Sequence, residues 1–334
     1  MRTKHRIREQ KLLKKDTHLE YSSRGTYDSI LLVGFGGPTP GCCRQHDPCP
    51  GEAHCFVEGI VGNAPSNAAR VQEVANHYVK LGGFSPFNEL TFKQAEALGD
   101  ALRKQGVDSP IYVGMRNWTP YLHETIEKMV ERKHRNVLAI IMSAYRSKAS
   151  WERYQNDVIA AVETVGDQTL SIRYLEDLWH LNPGFINAIA ERIRSACSNI
   201  SESRFAEAAL IFTAHAIPQV AAKTSPYPEQ FRQTASAVAE VLGSDFDIAY
   251  QSAPDNPTVP WTGPDINDLI REKRKAGVQD AIVSPIGFLC DHVEVLYDLD
   301  LEAKATAEAC GMNFIRAGTV GEHPDFIDML ANLV

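Results

Sequence analysis

No run of about 18 or more apolar residues occurs in the chain, so a membrane-spanning helix is not expected. Positive charge is in deficit: 34 Lys and Arg stand against 42 Asp and Glu, a formal net charge of −8. A general nucleic-acid binder needs a basic face to displace counterions from phosphate, so that class is excluded. Cysteine is sparse and odd in number, seven in 334 residues, which argues against a secreted disulfide scaffold. The N-terminus is basic but has no apolar stretch behind the charge, so no secretory signal is expected and the location inferred is cytoplasmic. What remains is a globular balance. The 44% apolar and 23% charged residues supply a sizeable core, and the length suggests about two domains.

Seven of the first sixteen residues are Lys or Arg. Residues 1–26 read as a solvated, disordered basic arm; contact with an anionic lipid surface is the weaker alternative, because no large apolar face accompanies the charge. Structure is expected to start at 29–33, an apolar run ending in Gly34-Phe35-Gly36-Gly37-Pro38. Further short apolar runs lie at 111–113, 137–141, 170–174, 209–213, 248–251 and 281–284. Helical patterns fall between them, at 91–105, 121–133, 151–165, 184–195, 230–242 and 265–276. Strands alternating with helices predict βαβ units, that is, parallel sheets covered on both faces.

The chain also repeats itself. Ser85-Pro86-Phe87 opens a helix, a strand, Trp118-Thr119-Pro120, a helix and a strand; Ser225-Pro226-Tyr227 opens the same order, with Trp261-Thr262-Gly263-Pro264 in the corresponding place. The offset is about 140 residues, so two similar α/β halves meeting at a cleft are expected. In open α/β sheets ligands bind at the carboxyl ends of strands, which is where chemistry is sought.

Two strand ends carry it. The run 209–213 leads into Ala214-His215-Ala216-Ile217-Pro218, placing His215 at the mouth of a proline-stiffened turn. A histidine there can be a structural hydrogen-bonder, or an imidazole that takes a proton or binds a metal near physiological pH. The run 281–284 leads into an apolar segment in which Glu294, Asp298 and Glu302 recur at i, i+4 and i+8. On a helix that spacing aligns the carboxylates on one face, with Val293, Leu296, Tyr297 and Leu301 packing the remainder. Like charges so aligned repel, unless protons or cations compensate. A solvated acidic face is one reading. The other follows from the apolar context: the row is buried, its pKa values are raised, and it relays protons or guides a hydrated divalent cation. His215 with Glu294 would suit a borderline cation such as Fe²⁺.

These segments resemble the ferrochelatase family from about Ser29 onward. The resemblance rests on LLVGFGGP (31–38), HYVKLGGFSPFNELT (77–91), GMRNWTPYLHETI (114–126), SAYRSKASWERY (143–154), NPGFI (182–186), TAHAIP (213–218), VPWTGPDINDL (259–269) and PIGFLCDHVEVLYDLDLEA (285–303), in family order. It implies two Rossmann-like halves with parallel four-stranded sheets, at 27–175 and 176–320, then a C-terminal helix at 321–334, with a porphyrin cleft between the halves. It implies insertion of Fe²⁺, as substrate, into a porphyrin during haem biosynthesis, with release of two protons and no organic cofactor. His215 and Glu294 match the metal-binding, proton-accepting pair, and Asp298 and Glu302 continue the acidic row. Tyr78 and Ser85 match positions that contact porphyrin or its propionates, and the loop 77–85 and Tyr145 are expected to line the cleft.

There are departures. Phe35 stands in the cleft where coproporphyrin-type members carry a tyrosine that can ligate iron. Ile60-Val61-Gly62 lacks an arginine that often holds a propionate, and Gln251-Ser252-Ala253 replaces the usual QSR. GMRNW leans toward the coproporphyrin branch, so coproporphyrin III and protoporphyrin IX both stand as substrates. PGCCRQHDPCPGEAHC reads as an insertion whose Cys42, Cys43, Cys49 and Cys55, with His46 and His54, are dense enough to bind zinc or an iron–sulfur cluster, or form a functionless cysteine-rich loop. Trp118 and Trp261 read as packing anchors, and Cys197, Cys290 and Cys310 as ordinary thiols. The competing functions are a cobalt or nickel tetrapyrrole chelatase and a non-catalytic porphyrin or haem carrier. A carrier has no need of the Glu294–Asp298–Glu302 row. Transient contact with a membrane or a haem acceptor would suit an apolar product.

Overall fold

The computed structural model of the chain describes residues 27–41, 49–167, 169–254 and 257–334. The basic arm, Cys42, Cys43 and His46 lie outside these residues. The first half contains β1 (Ser29–Gly34), α1 (Glu52–Val61), α2 (Ala68–Lys80), α3 (Phe87–Lys104), β2 (Ile111–Met115), α4 (Leu122–Glu131), β3 (Asn136–Ile141), α5 (Arg153–Val165) and β4 (Ser171–Tyr174). The second contains α6 (Pro183–Ala196), β5 (Ala209–His215), α7 (Tyr227–Leu242), β6 (Asp247–Gln251), α8 (Ile266–Lys275), β7 (Asp280–Ser284), a π-helix (Leu296–Ala303), α9 (Lys304–Ala309), β8 (Asn313–Arg316) and α10 (Pro324–Leu333).

The halves share one topology. Strand order is β2-β1-β3-β4 in one sheet and β6-β5-β7-β8 in the other, with every pairing parallel. β1 and β7 are buried along their whole length, as strands covered by helices on both faces must be. In each half the chain leaves the first strand to one side and returns on the other, so a crevice opens at the carboxyl ends of the central strands. β8 was not anticipated: Asn-Phe-Ile-Arg is a short edge strand with neither an apolar run nor a clean alternation.

NPGFI shows how sequence places an element. The Asn182 side chain accepts from the Gly184 N–H at 2.9 Å, and Pro183 takes the first helical position, so α6 starts there. A Cβ on Gly184 would sit 2.6 Å from the Asp325 carbonyl oxygen, so only glycine lets α10 lie against α6. α10 also packs on α3 of the first half, and one buried cluster runs from Ile30 and Leu98 to Phe212 and Phe326. Gln94 on α3 adds polar ties, donating to the carbonyls of Leu289 (3.0 Å) and Gly321 (2.9 Å).

Two expectations are corrected here. The segment 77–85 is not all loop: His77 and Tyr78 occupy the last turn of α2. The cysteine-rich insertion leads into a formed helix, α1, whose Phe56 packs edge-on against Phe35, Tyr78 and Trp118. Trp118 is a packing anchor, 1% exposed, with its indole N–H donating to the Thr39 hydroxyl. Among the described residues, no helix is long and apolar enough to cross a membrane.

Candidate active site

Two cavities meet at the crevice. One, of about 350 Å³, is largely apolar and reaches from Phe35, Tyr78, Ser85 and Tyr154 to Tyr227, Phe288 and His292. The other, of about 750 Å³, is polar and bordered by Glu73, His77, Ser252, Asp265, Asp298 and Glu302. Among the described residues, only His215, Trp261 and Glu294 line both.

β5 delivers His215 at its last residue, and the segment after β7 delivers Glu294. His215 Nε2 and Glu294 Oε2 are 3.8 Å apart, so the two strand ends do bring them face to face. The approach depends on Gly287: a Cβ there would lie 2.6 Å from the Ala214 Cα, and its N–H donates to the Thr213 carbonyl at 3.0 Å. His215 Nδ1 is bonded to the Ala216 carbonyl oxygen. A carbonyl only accepts, so Nδ1 carries the hydrogen, and in the neutral ring the Nε2 lone pair faces Glu294. The Tyr227 hydroxyl fixes the backbone behind, donating to the His215 carbonyl at 3.0 Å.

Sequence reasoning missed His292. Its Nδ1 is 4.0 Å from Glu294 Oε2 and accepts from the Glu294 N–H at 3.3 Å, capping the turn that carries the glutamate. In the neutral ring its Nε2 therefore bears the hydrogen. Burial pulls the imidazole below its usual range; the Glu294 charge pulls it back up. Phe87 and Phe288 meet the ring edge-on. The only signal was its position two residues before Glu294.

Asp298 and Glu302 ride on a π-helix rather than an α-helix, while Glu294 sits on the short α-helical turn (Val293–Val295) that leads into it. The wider i→i+5 turn of a π-helix is rare and recurs at functional sites. The three carboxylates differ in surroundings, which corrects the picture of a uniformly buried row. Glu294 is 38% exposed, Asp298 is buried and Glu302 is exposed. Leu301 is also exposed, and Leu299 packs the core in its place. Burial pushes the Asp298 carboxyl up to about 8; the Ser252 hydroxyl donating to Oδ2 opposes this, and Glu294, Glu302 and Asp265 add to it. Ser252 supplies that hydroxyl from a left-handed conformation (φ 65°) just past β6. The neighbouring Gln251 amide accepts from the Thr213 hydroxyl at 2.9 Å and donates to the Glu294 carbonyl at 2.7 Å, tying the row to the sheet.

Phe35, Tyr78 and Ser85 line the apolar cavity. Burial, then the charges of Glu294 and Asp298, hold the Tyr78 phenol well above its usual range. Tyr145 does not reach the cavity. It is 1% exposed and packed against Tyr227 and Phe231, so the wall is Tyr227 and Tyr145 lies behind it. Trp261 is more than an anchor, since it borders both cavities. Cys290 lines the apolar cavity as a thiol pushed up to about 12 by burial. In the cysteine-rich segment, Cys49 Sγ and Cys55 Sγ are 3.7 Å apart; among the described residues no group of three or more His, Cys, Asp or Glu is placed to hold a metal.

A family profile described as Ferrochelatase matches residues 47–334. The chain is 36% identical over 310 residues to a ferrochelatase of Rhodopirellula baltica, covering 92% of this chain and 85% of that protein. It is 34% identical to a coproporphyrin III ferrochelatase of Streptomyces coelicolor, covering 92% and 84%. Among solved structures it shares a fold with SirB from Bacillus subtilis (TM-score 0.54, 12% identity, 92% and 94% covered).

Proposed function

The chain belongs to the ferrochelatase family, and from that premise we propose that it inserts Fe²⁺ into a free porphyrin, with His215 and Glu294 as the reacting pair. The observation that carries the reading is their place on the wall common to an apolar cavity and a polar one in which five carboxylates, Glu73, Asp265, Glu294, Asp298 and Glu302, outnumber Arg70 and Arg271. A flat apolar macrocycle belongs in the first, where burial of its faces supplies binding energy and a shaped wall can bend it. A hydrated cation belongs in the second. The reagents then meet at one imidazole and one carboxylate, a donor pair that a borderline divalent ion accepts.

Two pyrrole protons must leave as the metal enters. The His215 Nε2 lone pair and the Glu294 carboxylate are the groups available to accept those protons. A positioned acid–base group of this kind contributes about 10²–10⁴ in rate. Asp298 holds a proton near neutrality, so it can pass one outward and refill from Glu294, with exposed Glu302 handing protons to solvent. The Ser252 hydroxyl keeps Asp298 oriented for that exchange.

Both porphyrins remain candidates for this cleft. The relative in Streptomyces coelicolor is named for coproporphyrin III, whereas Phe35 offers no phenolate ligand and no Lys or Arg is among the described residues lining the apolar cavity. The test is anaerobic absorbance with Fe²⁺ and each porphyrin separately. Conversion of one or both supports the proposal, and the faster substrate identifies the branch. Porphyrin binding without conversion would leave the carrier function instead.

A further inference from the structure

Arg316 lies outside both cavities, yet it holds two ends of the reacting segment at once. It is the last residue of β8, and the register of that strand pairs it with Val283 of β7. Its side chain is 17% exposed. Nε and Nη2 grip Asp300 (2.7 and 2.9 Å), while Nη1 and Nη2 grip Asp291 (3.1 Å each). A long bond from Nη1 to the Ala317 carbonyl uses the rest of the fork. Asp291 immediately precedes His292, and Asp300 lies two residues beyond Asp298 on the π-helix. One planar cation therefore closes a loop around the stretch bearing His292, Glu294 and Asp298, and pins it to the sheet that delivers His215 from β5.

We propose that Arg316 is a positioning residue for iron insertion: its two-carboxylate fork sets the distance between the His292–Glu294–Asp298 segment and His215. The inference rests on the functional reading above. A fork–fork pair fixes direction as well as separation, which a lysine point charge does not. Misplacing a reacting group by about 1 Å can cost about 100-fold in rate. Neither aspartate nor Arg316 lines the apolar cavity, so the clamp itself makes no contact with a porphyrin bound there.

The test compares wild type, Arg316→Lys and Asp300→Asn. Porphyrin affinity is read by fluorescence quenching, kcat by anaerobic Fe²⁺ insertion into whichever porphyrin wild type converts, and amide hydrogen exchange across 291–303. The expected result is a kcat loss of about 10- to 100-fold in both variants, with porphyrin affinity unchanged and exchange faster in that stretch alone. Lysine keeps the charge, so failure to rescue assigns the effect to the fork. Wild-type kcat in Arg316→Lys, or porphyrin affinity falling in step with kcat, overturns the proposal. Should Arg316→Lys not fold, Asp300→Asn decides alone, since it keeps the Arg316–Asp291 pair and only frees the helix end. No insertion by wild type would count against the functional reading; unchanged exchange in the variants would then still refute the clamp.

Discussion

Asp298→Asn should turn a pH-dependent weakness of the fold into a pH-independent one. Asp298 is 8% exposed, and burial, set against the Ser252 hydrogen bond, raises its carboxyl from an ordinary 3.8 to about 8. Between those values the folded state binds a proton that the unfolded chain has released. Wild-type stability therefore falls as pH rises through that window, by about 1.4 kcal/mol per pH unit from this group. Asparagine keeps the shape and the acceptor for Ser252 but has no proton to lose. Urea unfolding, followed by tryptophan fluorescence at pH 5 and pH 7, should show the variant gaining on wild type by about 3 kcal/mol over that interval. Contributions from groups that do not interact with Asp298 cancel in the difference. Parallel stability curves for the two proteins would refute the assignment of a protonated, buried Asp298.

Other substitutions test the scaffold around the pair. Gly287→Ala places a methyl 2.6 Å from the Ala214 backbone. It should cost about 1–3 kcal/mol in thermal or urea unfolding and slow iron insertion, because the His215 strand end must give way. Gln251→Met strands the Thr213 hydroxyl and the Glu294 carbonyl. It should cost about 1–3 kcal/mol, with kcat falling and porphyrin affinity unchanged; equal losses of both would show that Gln251 supports the cleft wall instead.

Much of the fold was legible because central strands buried on both faces leave continuous apolar runs, as 29–33 and 281–284 do. The duplicated Ser-Pro-aromatic and Trp-Thr phrases foretold a topology that the two sheets repeat strand for strand. β8 was hidden because an edge strand needs no such run. α1 was hidden because glycine, proline and cysteine around 36–62 look like loop, while the helix is held by aromatic packing of Phe56 against Phe35, Tyr78 and Trp118. The His215–Glu294 encounter could be inferred from two strand ends on neighbouring strands. The i, i+4, i+8 row could be seen, but not that a π-helix would bury Asp298 and leave Glu302 in solvent. Gln251, Ser252 and Arg316 act through tertiary hydrogen bonds, and spacing along the chain carries no trace of those, whereas His292 caps the Glu294 turn locally and left only its place two residues ahead.

The central claim is that the His215–Glu294 pair performs insertion, while the apolar cavity alone binds the macrocycle. The most direct measurement sets porphyrin binding beside anaerobic Fe²⁺ insertion for wild type, His215→Ala and Glu294→Gln. The account predicts that all three bind the porphyrin and that insertion falls by about 100-fold or more in each variant. Insertion at the wild-type rate by either variant would contradict it.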